Sequence, residues 1–243
     1  MNRRNGFLSP LVGRLGRLAA LSLLVLASTV NSDAIARHDS CEALVGHWSL
    51  DEGEGDLIFD STANYNDGIR RGCSWEAGEY GFVLRFNGQE DAVVVPHSQS
   101  LMPTEAITLA AWFVIEEPAD RYHGIIGKAG YSSGYRLLLS GDAKQVLFQL
   151  SAEYSFWAST SVGDGHWHHC VARYDGSLMK LYIDGVALAT RAGPERVEVN
   201  DDFIVLGGPQ YVIHGMVDDV RVYSRALSDE EVARLYETTR GMR

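Results

Sequence analysis

The sequence predicts an all-β fold, an antiparallel sandwich or barrel closed by one short helix. Three observations carry this. After residue 41 nearly every apolar run is short, alternates with period two and ends at Gly, Asp or Asn, the rhythm of strands joined by tight turns. One run, Ala106 to Ile115, is apolar on both faces, as a central strand covered on each side must be. The one strong helical signal comes at the end. Ser228 and Glu231 form a capping box, and Val232, Leu235 and Tyr236 make the apolar stripe of the helix it starts, near 228–238.

The elements follow in order. Leu44 to Leu50 reads as the first strand, before an acidic glycine-rich loop (Asp51 to Asp56) and a second loop of turn formers, Asp60 to Gly68. Phe82–Phe86 and Ala92–Val95 read as the arms of a hairpin across Asn87-Gly88. Tyr135, Leu137 and Leu139 alternate with Arg136, and a Gly141-Asp142 turn leads into Val146–Leu150. Met179, Leu181 and Ile183 make one apolar face between turns at Asp175-Gly176 and Asp184-Gly185. In the last strand Met216, Asp218, Val220 and Val222 share a phase, which places an acid on the buried side. A buried carboxylate needs a partner. No repeat, linker or low-complexity tract interrupts the chain, so one domain over residues 44–240 is expected.

Residues 1–36 read as a cleavable leader. Arg3, Arg4, Arg14 and Arg17 form a basic region, Leu18 to Val30 an apolar run, and Ala34-Ile35-Ala36 an A-x-A cleavage site, so the mature chain is expected to begin at Arg37. The apolar run is short for a membrane span, which predicts a secreted or periplasmic product with no integral membrane segment after cleavage. The net charge is −11, a balance that disfavours nucleic acid and anionic surfaces and suits cations or neutral ligands such as sugars. Three cysteines permit one disulfide. Cys170 is in phase with Ala172 and Tyr174, where a small core residue fits, which leaves Cys41 and Cys73 as the expected pair, although three thiols allow three pairings.

Five segments resemble the LamG-like jelly-roll domains of the concanavalin A-like lectin/glucanase superfamily. They are 46–55 (GHWSLDEGEG), 60–68 (DSTANYNDG), 84–96 (LRFNGQEDAVVVP), 164–185 (beginning DGHWHHCVARYDG and ending LYIDG) and 215–236. Cys170 stands where that pattern carries an aliphatic residue, and Ala92 where an aromatic is common. The resemblance implies two antiparallel sheets packed face to face in a jelly roll. It also implies a role in binding a carbohydrate, a cell-surface glycan or a protein, with adhesion as the alternative to sugar recognition.

Catalysis finds no support in the motifs. The E-x-D-x-x-E arrangement that converges two carboxylates on a glycosidic bond does not occur, nor does G-x-S-x-G or H-E-x-x-H. The chain is therefore expected to be a non-catalytic binding module, with a glycan-acting hydrolase or lyase as the third reading. His166 and His168 share a strand face, but two histidines make a poor zinc site. Calcium takes six to eight oxygens. Asp60 and Asn66, joined by Asp218 if first and last strands are neighbours, are the expected set for a structural ion, although Asx residues also cap their own turns. Trp48, Trp75, Trp112 and Trp167 fall in strand patterns and are assigned to the core. Tyr154, Trp157 and Tyr211 are the candidates for stacking sugar rings.

Overall fold

The computed structural model describes residues 43–128, 130 and 133–242. Two eight-stranded antiparallel sheets enclose one core. The first sheet holds β1 (Leu44–Trp48), β4 (Ser74–Gly78), β5 (Gly81–Asn87), β7 (Ile107–Ile115), β12 (His168–Tyr174), β13 (Leu178–Ile183), β14 (Val186–Ala192) and β16 (His214–Tyr223). Its order is β14-β13-β12-β7-β16-β5-β4, with β1 also paired to β16. The second sheet holds β2 (Leu57–Ile58), β3 (Gly68–Arg71), β6 (Ala92–Val95), β8 (His123–Lys128), β9 (Ser133–Leu139), β10 (Gln145–Ser151), β11 (Ser155–Ser159) and β15 (Ile204–Gly207). Its order is β11-β10-β9-β8-β15-β6-β3-β2.

Period-two alternation sorts each strand into a core face and an outer face. Tyr135, Leu137 and Leu139 enter the core as their spacing predicts, in one cluster with Leu109, Ala111 and Phe113 of β7. β7 is buried at every position because its other face is covered too. The cover is helix α1 (Asp229–Thr239), which begins with the Ser228–Glu231 capping box. Val232 and Leu235 pack on Ala110, Val171 and Tyr182, forming a second apolar cluster outside the first sheet. Burying each such side chain contributes about 1.5–3 kcal/mol. Asp229 fastens the start of the helix, accepting from Arg173 Nη2 (3.1 Å), Lys180 Nζ (2.5 Å) and Tyr182 OH (2.6 Å).

Two expectations fail. Phe82–Phe86 and Ala92–Val95 do not form a hairpin: β5 pairs with β4 and β16, and β6 with β3 and β15, in opposite sheets. The Asn87–Asp91 connection crosses the sandwich instead. Its geometry is held by Asn87 N donating to Asp91 Oδ2 (2.8 Å) and Gly88 N donating to Ile213 O (2.7 Å), tertiary bonds that a local turn pattern cannot reveal. The phase of β16 also changes midway. Its register on β7 slips between Asp218 and Arg221, and Asp219 takes a left-handed conformation at φ +48°. Val217, Val220 and Val222 therefore face the core, while Met216 faces out beside Arg85.

Candidate functional site

The middle of the first sheet's outer face lies under α1, whereas the outer face of the second sheet holds three adjoining depressions. Its floor is set by strand register. Because Phe156 and Ala158 turn inward, Trp157 turns out. It pairs with Leu147, which pairs with Leu138, which pairs with Gly124. Tyr211 closes this row, seated over Gly124, where a methyl group would stand 2.5 Å from the tyrosine Cβ. At the other end Tyr122 packs against Trp157, ring centroids 5.2 Å apart and planes at 55°. Both rings keep exposed faces, 47% for Tyr122 and 37% for Trp157.

A second row runs parallel to the first. Ser155, Gln149, Arg136, Gly127, Val205, Val94, Ile69 and Leu57 are successive register partners across the whole sheet. Arg136 lies flat across Gly127, its Cγ 2.6 Å from where a Cβ would be, and donates from Nη1 to Gln149 Oε1 at 3.2 Å. The guanidinium is thereby buried in the floor between the aromatic and aliphatic halves. Lys128, also buried, donates from Nζ to Asn200 O (3.0 Å) and Asp202 O (2.8 Å), which fixes the loop that presents Phe203. Burial lowers the pKa of this ammonium, against the raising effect of Asp202 and Asp201.

The Gly207–Tyr211 segment forms one wall. A depression of about 170 Å³ lies along Phe203, Val205, Pro209 and Tyr211. It shares Phe203, Val205 and Pro209 with a larger one of about 490 Å³ that reaches Arg71, Asp91 and Val94. Volumes of this size suit a small ligand or a segment of a chain.

Of the three aromatic candidates, Trp157 and Tyr211 thus share one face and one row. Tyr154 does not join them; it is half-buried against the core. Its neighbours explain this, since Tyr154 N donates to Ser151 Oγ in the β10–β11 turn and the ring folds back over the sandwich edge. Tyr122, Arg136, Gln149 and Phe203 were not foreseen. Phase held the signal for Arg136, which alternates with core residues on β9, whereas Phe203 lies in the loop just before β15.

Asp60 and Asn66 come together, but as a hydrogen-bonded loop. Asp60 Oδ1 accepts from His47 N (2.9 Å) and Thr62 N (3.0 Å), and Oδ2 from Thr62 Oγ1 (2.8 Å) and Asn66 N (2.9 Å). Four donors occupy the carboxylate's four acceptor sites, leaving none to offer a cation. Asn66 donates from Nδ2 to Val45 O and Ser100 Oγ. Asp218 lies elsewhere, paired in register with Trp112 on the helix-covered face. The neighbouring carboxylate takes the place beside β1. Asp219, buried, accepts from His47 Nε2 (2.8 Å) and from Arg221 Nε (2.8 Å) and Nη2 (3.1 Å). Burial opposes its ionisation, but those bonds and the Arg221 charge outweigh it and hold the carboxyl well below its usual range. The residues present do not fit the calcium site expected of them. Among the described residues no group of three or more His, Cys, Asp or Glu is arranged to hold a metal ion.

His166 and His168 meet one carboxylate, Asp164 Oδ1, at 3.3 and 3.2 Å, while His168 Nδ1 meets Asp184 Oδ2 at 2.8 Å. Trp48 is in the core, Trp75 packs partly buried against it, Trp112 sits under α1, and Trp167 is half-buried. Cys73 and Cys170 are both buried free thiols; Cys41 and the proposed leader lie outside the described residues. Among the described residues no helix is long and apolar enough to cross a membrane.

The family model of the concanavalin A-like lectin/glucanases superfamily, Laminin_G_3, matches residues 87–233. The chain belongs to this superfamily. A search of curated proteins found no match. Solved structures share the fold. Domain 4 of AbnA, an extracellular GH43 arabinanase from Geobacillus stearothermophilus, solved with arabinotriose, superposes with a TM-score of 0.66 at 20% identity, over 79% of this chain and 98% of that one. The binding domain of Paraclostridial Mosquitocidal Protein 1 gives 0.67 at 16% identity, over 82% and 52%. A structure of botulinum neurotoxin type C, whose cell entry depends on two ganglioside molecules, gives 0.67 at 14% identity, over 83% and 52%. The chain spans about half the length of the toxin structures it matches.

Proposed function

We propose that the protein is an exported carbohydrate-binding module whose ligand lies across the outer face of the second sheet. The observation that carries this is the row from the Tyr122–Trp157 pair to Tyr211, with half-buried Gln149, braced by the buried Arg136, in the row beside it. Exposed aromatic faces stack on the apolar faces of sugar rings, and planar polar side chains between them bond hydroxyls. Three strand spacings separate Trp157 from Gly124, roughly 14 Å, a span for an oligosaccharide rather than a single ring. AbnA domain 4, solved with arabinotriose, offers a whole-domain parallel for this use of the fold. Export follows from the basic, apolar and A-x-A pattern of residues 1–36.

The reading is non-catalytic. The acids at the groove's end, Glu90 and Asp91, are chain neighbours, and Asp91 Oδ2 is engaged by Asn87 N, so they do not face each other across a scissile bond. Affinity electrophoresis against soluble polysaccharides, including arabinan, tests the proposal. Retardation by at least one polysaccharide, lost in Trp157→Ala, is expected. No retardation by any polysaccharide, or retardation indifferent to Trp157, would refute it, and turnover of a bound polysaccharide would refute the absence of chemistry.

A further inference from the structure

The groove face changes character halfway across. From Trp157 to Arg136 it is aromatic and polar; from Val205 through Val94 and Ile69 to Leu57 it is aliphatic, along one unbroken register row. Ile69 is 47%, Leu57 44% and Phe203 43% exposed, so large apolar side chains cluster at solvent on a face whose other half suits a sugar. The larger depression lies over Val94 and Val205 in the aliphatic half, and the smaller one, sharing Phe203, Val205 and Pro209, joins it to Tyr211.

We propose that the natural ligand is an amphipathic glycoconjugate, its sugar on the Trp157–Tyr211 half and an alkyl or acyl chain along Val205, Val94, Ile69 and Leu57. This rests on the sugar-binding reading of the same face. The aliphatic row covers three strand spacings, roughly 14 Å, the reach of a medium-length hydrocarbon chain.

Other occupants fit less well. A peptide adding itself as a strand needs a free sheet edge, whereas β3, β6 and β15 are each paired on both sides and the edge strand β2 is two residues long, too short to template one. A second copy of the chain needs roughly 20–30 residues on each side, far more than this row supplies. An anionic bilayer is repelled by the net charge of −11 and by Glu90 and Asp91 at the margin of the depression. A neutral hydrocarbon chain carried by a bound sugar meets none of these objections.

The test is calorimetric titration of the full chain with n-octyl and methyl glycosides of glucose, galactose and arabinose, below micellar concentrations. Each methylene fully removed from water is worth about fourfold in affinity. For at least one sugar the octyl compound is expected to bind ten times or more tighter than its methyl counterpart. The double variant Leu57→Ser/Ile69→Ser should erase that gain and leave any methyl glycoside or oligosaccharide affinity unchanged, while Trp157→Ala weakens both. Because both serines replace exposed side chains, the variant's circular dichroism and unfolding midpoint should match the parent. Oligosaccharide binding with no octyl gain would overturn this inference and leave the sugar site standing. Octyl gain that survives Leu57→Ser/Ile69→Ser would overturn it, as would octyl binding indifferent to both sugar and Trp157. So would a dimer in sedimentation that the double variant dissolves. Failure of every octyl glycoside to bind would overturn it, and polysaccharide retardation decides separately whether the sugar site falls with it.

Discussion

Tyr211 rides on Gly124: a methyl group on that glycine would fall 2.5 Å from the tyrosine Cβ. The ring's place in the groove is therefore fixed by the absence of a side chain on the adjacent strand. The contact is reinforced by Gly124 N donating to Val212 O (3.3 Å) and by the bridge between His123 and Val212. Gly124→Ala is expected to displace Tyr211 and weaken polysaccharide retardation severalfold. The stability loss should be about 1–3 kcal/mol, the usual cost of overpacking. Tyr211→Ala, which removes the ring but not the fit, should weaken binding comparably with a smaller stability loss. Unchanged retardation in both variants would take Tyr211 out of the site.

Asp60 yields a prediction about ions. Its four accepted hydrogen bonds make it the internal scaffold of the 60–68 loop. Asp60→Ala strips a partner from the backbone amides of His47, Thr62 and Asn66, each worth about 1–3 kcal/mol when left buried and unmet. A loss of about 3 kcal/mol or more is expected, equal in calcium and in chelator. A midpoint that rises with calcium in the parent and not in Asp60→Ala would restore the ion.

The sandwich was legible in the sequence because its signals are local. Alternation in 135–139, the doubly apolar 107–115 strand and the Ser228–Glu231 capping box all survive in the structure. What escaped depends on distant partners. The 87–91 crossing is secured by Ile213 and Gly208, more than a hundred residues away. The bulge at Asp218 and Asp219 exchanges the roles of two adjacent carboxylates, and only the pairing of β16 with both β1 and β7 reveals which one meets His47. In the groove, Trp157 could be read from phase, but Tyr211 belongs to it only through Gly124, a contact no periodicity encodes.

The thiols should be inert in the folded protein. Burial raises Cys73 to about 12, and the nearby Asp91 charge adds to this; burial likewise pushes Cys170 up. Thiolate is the reactive form, so Cys170, and Cys73 wherever it is reduced, should resist iodoacetamide at pH 8 in the native state. On unfolding, exported protein carrying the proposed Cys41–Cys73 bridge should expose Cys170 alone, and reduction should release the other two. Rapid native labelling of Cys170 would contradict its burial.

His168 sits between two carboxylates, Nδ1 on Asp184 and Nε2 on Asp164. The Asp184 bond raises its pKa above the ordinary 6.5, against the lowering effect of burial. Burial also works against Asp184, yet hydrogen bonds from His168 and from His169 N hold that carboxyl below its usual 3.8. Asp164 is likewise lowered, first by the His166 amide. A raised histidine adds stability that is complete below the unfolded pKa of 6.5 and disappears as pH climbs through the higher folded value; lowered carboxylates add stability above 3.8 that disappears as pH falls through their folded values. The cluster should stabilise most between about pH 4 and 6.5. In urea titrations His168→Gln should cost more at pH 5.5 than at pH 8.5, because glutamine keeps the polarity and loses the charge. A gap of equal size at both pH values would show that His168 contributes by packing and not by its proton.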